Sequence, residues 1–186
     1  MILALTLSTG LNSLAQTNRY ALGSTTEVND GNGVLYTPLA CPVGSTAYVV
    51  QNKPDIVGAQ YGNLCYTTNL LTFTFSVIHG VYSVKLHFIE QNQAVKIGTR
   101  TFNIWINDDL MKSNFDVFKK CGLLIGCQIG YPVIDNNGKI VISLLWTKYN
   151  AVISAIEIVP IMQDNVVFGC AISEACKDLL EATPQP

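Results

Sequence analysis

Three groups of residues in this chain are of types that could do chemistry: six cysteines, two histidines with a few carboxylates, and tyrosines set beside amides. The cysteines are Cys41, Cys65, Cys121, Cys127, Cys170 and Cys176. None forms a C-x-x-C pair, and with only two histidines a zinc site of ordinary spacing cannot be assembled, so no metal is expected. An even count in an exported chain reads as disulfides. The shortest closures are Cys121 with Cys127 and Cys170 with Cys176, with Cys41 and Cys65 as further candidates. The sequence does not choose among the connectivities, and buried thiols of a cytosolic protein are the alternative.

The motifs of enzymes are missing. There is no G-x-S-x-G elbow, H-E-x-x-H, phosphate loop or G-x-G-x-x-G. His79 falls in a turn and His87 on the polar face of a strand, two residues from Lys85, so both read as plain surface residues. Asp108 and Asp109 are adjacent, but they sit in a polar turn where Asp makes local hydrogen bonds, rather than flanking a glycosidic bond. Glu90 and Asp116 are the only other acids in the densest strand region. Asn29-Asp30-Gly31-Asn32 is similar to part of a calcium loop but lacks the distal Glu, and reads as a turn. No catalytic residue and no cofactor is expected.

The tyrosines point elsewhere. A sugar ring has an apolar face that stacks on aromatic rings, and hydroxyls that need amide or carboxylate partners, so a sugar site needs Tyr or Trp in loops beside Asn, Gln and Asp. Tyr36, Tyr48, Tyr61, Tyr66, Tyr131 and Tyr149 lie outside the regular strand patterns, mostly near turn-forming residues. The competing reading is that each caps the edge of the core with its hydroxyl in water.

The elements that must position these residues are strands. Leu71, Phe73, Phe75 and Val77 alternate with Thr72, Thr74 and Ser76, and Tyr82, Val84, Leu86 and Phe88 alternate with Ser83, Lys85 and His87, a period of two that puts one set on a core face. Ile78-His79-Gly80 between them predicts a hairpin. Phe102, Ile104 and Ile106 alternate in the same way before Asn107-Asp108-Asp109 turns the chain. Asn136-Asn137-Gly138 predicts a second hairpin, because Asn-Gly supplies positive φ angles, and Ile140, Ile142, Leu144, Ile156 and Ile158 follow. Only the tail, around Ser173 to Glu181, reads as helix. Many short strands predict an all-β antiparallel sandwich of jelly-roll, galactose-binding-like type over residues 18–160, with a C-terminal tail over 161–186.

Composition describes a neutral surface. Of 186 residues, 49 % are hydrophobic and 13 % charged, with a net charge of −2. Ordinary domains carry about 25 % charged residues, and nothing here provides the clustered Lys and Arg that a nucleic acid requires. Residues 1–15 resemble a signal-peptide core, ending in small residues at Ser13 and Ala15 but lacking the positive start. No later segment has the ~18 apolar residues of a membrane span.

A family resemblance lies in several motifs taken in order. Gly80-Val-Tyr-Ser-Val-Lys-Leu-His-Phe-Ile-Glu90 resembles the malectin-domain signature G-x-Y-x-V-x-L-x-F-x-E, and Gly98-Thr-Arg-Thr-Phe-Asn-Ile-Trp-Ile-Asn107 resembles its G-x-R-x-F-D-V-x-I-N/G. Asn114-Phe-Asp-Val-Phe118 with Gly122, Ser154-Ala-Ile-Glu-Ile158, Asp30-Gly-Asn-Gly-Val-Leu-Tyr36 and Gly44-Ser-Thr-Ala-Tyr48 are similar to further family segments. The resemblance implies a non-catalytic, lectin-like β-sandwich that holds gluco-oligosaccharide or glycan on loops at one end. The founding member works in the endoplasmic reticulum lumen, and relatives occur in plant receptor ectodomains and beside bacterial glycosidases. By position Tyr48 and Tyr66 match two stacking tyrosines. Gln91-Asn92-Gln93 stands where the family has an aromatic pair, Tyr149-Asn150 near the Asp of the last loop, and Leu39 where many relatives have Asp. The expected sugar site is therefore Tyr48 and Tyr66 for stacking, with Asn92, Gln93 and Asn150 for hydroxyls and Tyr149 as a replacement stacking face. The alternative is a sandwich that has lost sugar binding and meets a protein. Either form is expected in the secretory lumen or outside the cell, with further domains in the parent protein.

Overall fold

The computed structural model describes residues 16–51, 58–135 and 137–161. In chain order these residues form β1 (Asn18–Leu22), β2 (Val28–Asn29), β3 (Leu35–Leu39), β4 (Thr46–Val49), a 3₁₀ turn (Ala59–Tyr61), β5 (Asn63–Thr67), β6 (Leu70–Ser76), β7 (Gly80–Phe88), β8 (Thr101–Ile106) and β9 (Asp109–Phe115). A short helix α1 (Val117–Cys121) precedes β10 (Cys127–Asp135), β11 (Lys139–Lys148), β12 (Ala151–Ile153) and β13 (Ala155–Pro160). The expected leader, the tail beyond Ile161 with Cys170, Cys176 and the anticipated helix, and Asn136 lie outside the described residues.

The alternating patterns build three sheets. One has the order β10-β7-β13-β1-β3-β2, a second β6-β11-β8-β9, and a third β12-β5-β4. Pairing is antiparallel except between β1 and β3. Because side chains alternate across a strand, Val84, Leu86 and Phe88 of β7 face the same core as Leu71, Phe73 and Phe75 of β6, from the opposite sheet. Phe88, Phe102 and Phe115 fill its centre with ring centroids 4.9–5.9 Å apart. Each such buried ring stabilises the fold by about 1.5–3 kcal/mol relative to exposure. The fold is an all-β sandwich.

Both expected hairpins are corrected. Strands β6 and β7 belong to different sheets, as do β10 and β11, so the connections through 77–79 and 137–138 are arches that carry the chain across the sandwich. Two alternating strands can bury their apolar faces side by side or face to face, and the alternation is the same in both cases. Buried Asp135 organises one arch by accepting N–H bonds from Asn137, Gly138 and Lys139. The arches touch where the Val77 N–H donates to the Gly138 carbonyl at 3.0 Å. Asn107-Asp108 does join a hairpin, β8 to β9.

Helix α1 was not anticipated. Its start is set by the Asp116 carboxylate, which accepts the Lys119 N–H at 2.9 Å. Residues 29–34 form a turn in which Asn29 and Asp30 side-chain oxygens accept local N–H groups. Cys41 is bonded to Cys65, and Cys121 to Cys127. Among the described residues no helix is long and apolar enough to cross a membrane, and no group of three or more His, Cys, Asp or Glu is gathered to hold a metal ion.

Candidate functional site

At one end of the sandwich a cleft of about 170 Å³ opens between the β12-β5-β4 sheet and the loops after β7 and β11. Its sheet wall follows from period two. Leu64 and Tyr66 lie two apart on β5 and share a face, Tyr48 of β4 stands opposite Leu64, and Val152 of β12 stands opposite Tyr66. Residues directly opposite on paired strands point the same way, so the sheet presents two tyrosines and two aliphatics together. Tyr48 is 39 % exposed, leaving ring surface free for a partner.

The facing wall is made by loops. Tyr149, between β11 and β12, is 52 % exposed and has φ 65°, a left-handed conformation that is an outlier for a bulky residue. Its hydroxyl accepts the Asn92 side-chain amide at 3.1 Å, and the Arg100 guanidinium lies 5.0 Å from its ring centroid, a cation–π distance. Arg100 also donates from Nη1 to Asn150 Oδ1. Beneath them Glu90 and Arg100, 1 % and 4 % exposed, form an ion pair with Oε2 and Nε 2.7 Å apart. That contact is off the N–H direction, so neither atom has an aligned hydrogen-bond partner, while Nη2 donates to Oε1 at 3.3 Å. Burial pushes the Glu90 carboxyl up and the Arg100 guanidinium down, each against the opposing pull of its partner. The pair is therefore costly to bury and weak as a source of stability. Its charges cancel, and the remaining side chains that line the cleft are uncharged.

Of the residues expected at a sugar site, the structure brings Tyr48, Tyr66, Asn92, Tyr149 and Asn150 to this cleft. Gln93 is exposed and outside the lining, and its carbonyl accepts Lys96 Nζ. Glu90 and Arg100 were not anticipated as site residues, although both lie in the quoted motifs. Ten positions apart, they meet because the loop from the end of β7 folds back to the start of β8.

A second polar cluster corrects the reading of His87 as a surface residue. His87 is 2 % exposed on the outer face of β7. Its Nε2–H donates to Glu157 Oε1 at 2.8 Å, as the acceptor-only carboxylate requires, and Nδ1 lies 3.1 Å from the Tyr61 hydroxyl. The Tyr36 hydroxyl donates to the same Glu157 oxygen at 2.8 Å, and Arg19 reaches the other at 3.3 Å. Burial works to raise the Glu157 carboxyl, but the bonds from His87 and Tyr36 outweigh it and hold the group at about 2. Burial pushes Tyr61 up to about 12. Gly126 allows the loop closed by Cys121–Cys127 to lie against Tyr61, since a Cβ there would come within 2.6 Å of the ring. Tyr36 and Tyr61 are thus buried ties rather than water-facing caps. The cluster joins β1, β3, β7, β13 and the 3₁₀ turn.

The architecture is that of an all-β sandwich with an aromatic cleft, and the sequence comparison supplies the family. The sequence model of the malectin domain matches residues 21–165, and the chain belongs to the malectin-domain family. A nodulation receptor kinase of Pisum sativum is 35 % identical over 82 residues, covering 41 % of this chain and 8 % of that protein. The ANX2 ectodomain of Arabidopsis thaliana superposes with TM-score 0.70 at 16 % identity, over 79 % of this chain and 42 % of that one. A Bacteroides uniformis β-glucuronidase superposes with TM-score 0.67 at 18 % identity, over 79 % of this chain and 18 % of the enzyme. The chain spans less than half of each of these proteins, and the two structural likenesses are likenesses of fold.

Proposed function

We propose that this chain is a non-catalytic carbohydrate-binding module, one sandwich unit over 18–160, that works in the secretory lumen or outside the cell and takes a neutral oligosaccharide into the cleft. The observation that carries the reading is the convergence of Tyr48, Tyr66 and Tyr149 with the Asn92 and Asn150 amides around one opening. Tyrosine faces stack on the C–H face of a sugar, and the amides bond its hydroxyls. The cancelled charge of Glu90 and Arg100 favours a neutral ring over a uronate, because an added carboxylate would lose water without gaining a free cation. The cleft is smaller than the ~300–1,000 Å³ of drug-sized pockets, so it suits one sugar unit with the rest of the chain outside. At about −0.3 kcal/mol per atom, a disaccharide of roughly 23 non-hydrogen atoms reaches about −7 kcal/mol, a Kd of roughly 10 µM at best. The two disulfides fit an oxidising compartment.

The test is a titration with maltose, nigerose and uronate-containing oligosaccharides, followed by tyrosine fluorescence and amide shifts. Saturable binding of a neutral sugar that is lost in Tyr66→Ala is expected. No response to any sugar from the folded, disulfide-bonded protein overturns the reading. One observation favours a second reading, a protein-binding domain. Strand β4 is a sheet edge with all four residues exposed, beside the polar Gln91-Asn92-Gln93 stretch. An edge of that kind can accept a strand from another chain.

A further inference from the structure

The cleft wall opposite the sheet depends on a tyrosine in a backbone conformation that its own side chain disfavours. The loop around Tyr149 must therefore be held by contacts from outside it. The guanidinium of Arg100 provides two, a bond to Asn150 and an approach over the Tyr149 ring, and is itself anchored by an ion pair to Glu90 after β7. A buried ion pair adds little stability that an apolar pair of similar volume would not, and this one lines the cleft rather than the core.

We infer that Arg100 is the positioning residue of the cleft, fixing the ring plane of Tyr149 and the amide of Asn150 so that the loop after β11 supplies the stacking wall that Gln91-Asn92-Gln93 cannot. The inference rests on the reading of the cleft as a sugar site. Glu90 holds the guanidinium, the guanidinium holds the ring from below, and Asn92 holds the ring by its hydroxyl. Arginine suits the place better than lysine, because its planar fork serves a carboxylate, an amide and an aromatic face at once.

The experiment compares wild type, Arg100→Lys, Tyr149→Ala and the double variant. Affinity for maltose and nigerose is measured, together with the Tyr149 ring resonances in ligand-free protein, assigned with Tyr149→Phe. Arg100→Lys is expected to shift those resonances and weaken binding roughly tenfold, yet to change affinity little in the Tyr149→Ala background, the signature of coupled residues. Asn150→Ala, at a partly exposed position, removes one guanidinium bond without burying a new charge. It is expected to shift the same resonances even if Arg100→Lys does not fold. Unmoved Tyr149 resonances, or losses that multiply in the double variant, overturn the inference. If wild type binds no sugar, the sugar reading alone falls, and the ligand-free resonances still decide whether Arg100 sets the ring.

Discussion

Tyr149 is the residue on which the cleft turns. Its left-handed backbone would suit glycine, yet a large side chain stands there with its ring over Arg100. Replacing it separates the backbone from the ring. Tyr149→Ala keeps the cost of the left-handed conformation and Tyr149→Gly removes it, so the glycine variant is expected to be more stable by about 1 kcal/mol. Denaturant midpoints of the two variants check this, and equal midpoints contradict a left-handed loop. Both variants lose the wall and should bind sugar poorly. The sequence brought Tyr149 and Asn150 forward through the family resemblance, but nothing in a linear reading joins Arg100 to either. His87 shows the complementary failure. Its alternation placed it correctly off the core face of β7, but a period of two does not say what covers the outer face. Here Tyr36 and Tyr61 do, and the residue is buried.

Among the elements, β4 is the most dependent on help. It is short, sits at a sheet edge and exposes all four residues, so its own burial does little to hold it. The Cys41–Cys65 bond, which joins residues 24 apart, ties the segment before β4 to β5. Replacing both cysteines by alanine is expected to cost about 3 kcal/mol, the loop-closure value for such a span. It should also weaken sugar binding, because Tyr48 rides on β4. Thermal denaturation and the same titration check both outcomes, and a variant with unchanged stability and affinity removes the disulfide from the account of the site. The arches at 77–79 and 137–138 carry the lesson for legibility at this scale. Their residues announced turns, and turns are there. Whether a turn returns a strand to its neighbour or sends it across the core depends on which sheet each strand joins, and that is settled by all the strands together.

At the scale of the molecule, the Glu157 cluster ties the outer face of the large sheet, and it gives the fold a pH dependence. Glu157 is held at about 2 against an ordinary value of 4.5. A depressed carboxyl contributes stability that is fully present above the higher value and is lost as pH falls through the lower one. Wild type should therefore lose stability between pH 4.5 and about 2 through this group. Glu90, raised by burial, slopes the other way, so the informative quantity is the difference from Glu157→Gln. That variant is expected to lose about 1–3 kcal/mol at neutral pH, the worth of charge-assisted hydrogen bonds, with a shallower acid limb. Chemical denaturation at several pH values checks it, and identical acid limbs would remove Glu157 from the acid response.

The sequence by itself determined the class of fold. Alternation of apolar and polar residues is local, so it survives in the one-dimensional record, and it marked the strand runs and their core faces around Leu71–Phe75 and Tyr82–Phe88. Cysteine spacing indicated the Cys121–Cys127 closure for the same reason, since a short loop brings its ends together whatever the fold. The malectin motifs brought forward Tyr48, Tyr66, Asn92, Tyr149 and Asn150. Only the tertiary structure decided that these five line one cleft while Gln93 does not, that Glu90 and Arg100 pair beneath it, and that His87 and Glu157 are buried partners. His87 and Glu157 come from strands 70 residues apart, and Glu90 and Arg100 from opposite ends of the loop between β7 and β8. Their meeting depends on sheet order and register, which no single segment encodes.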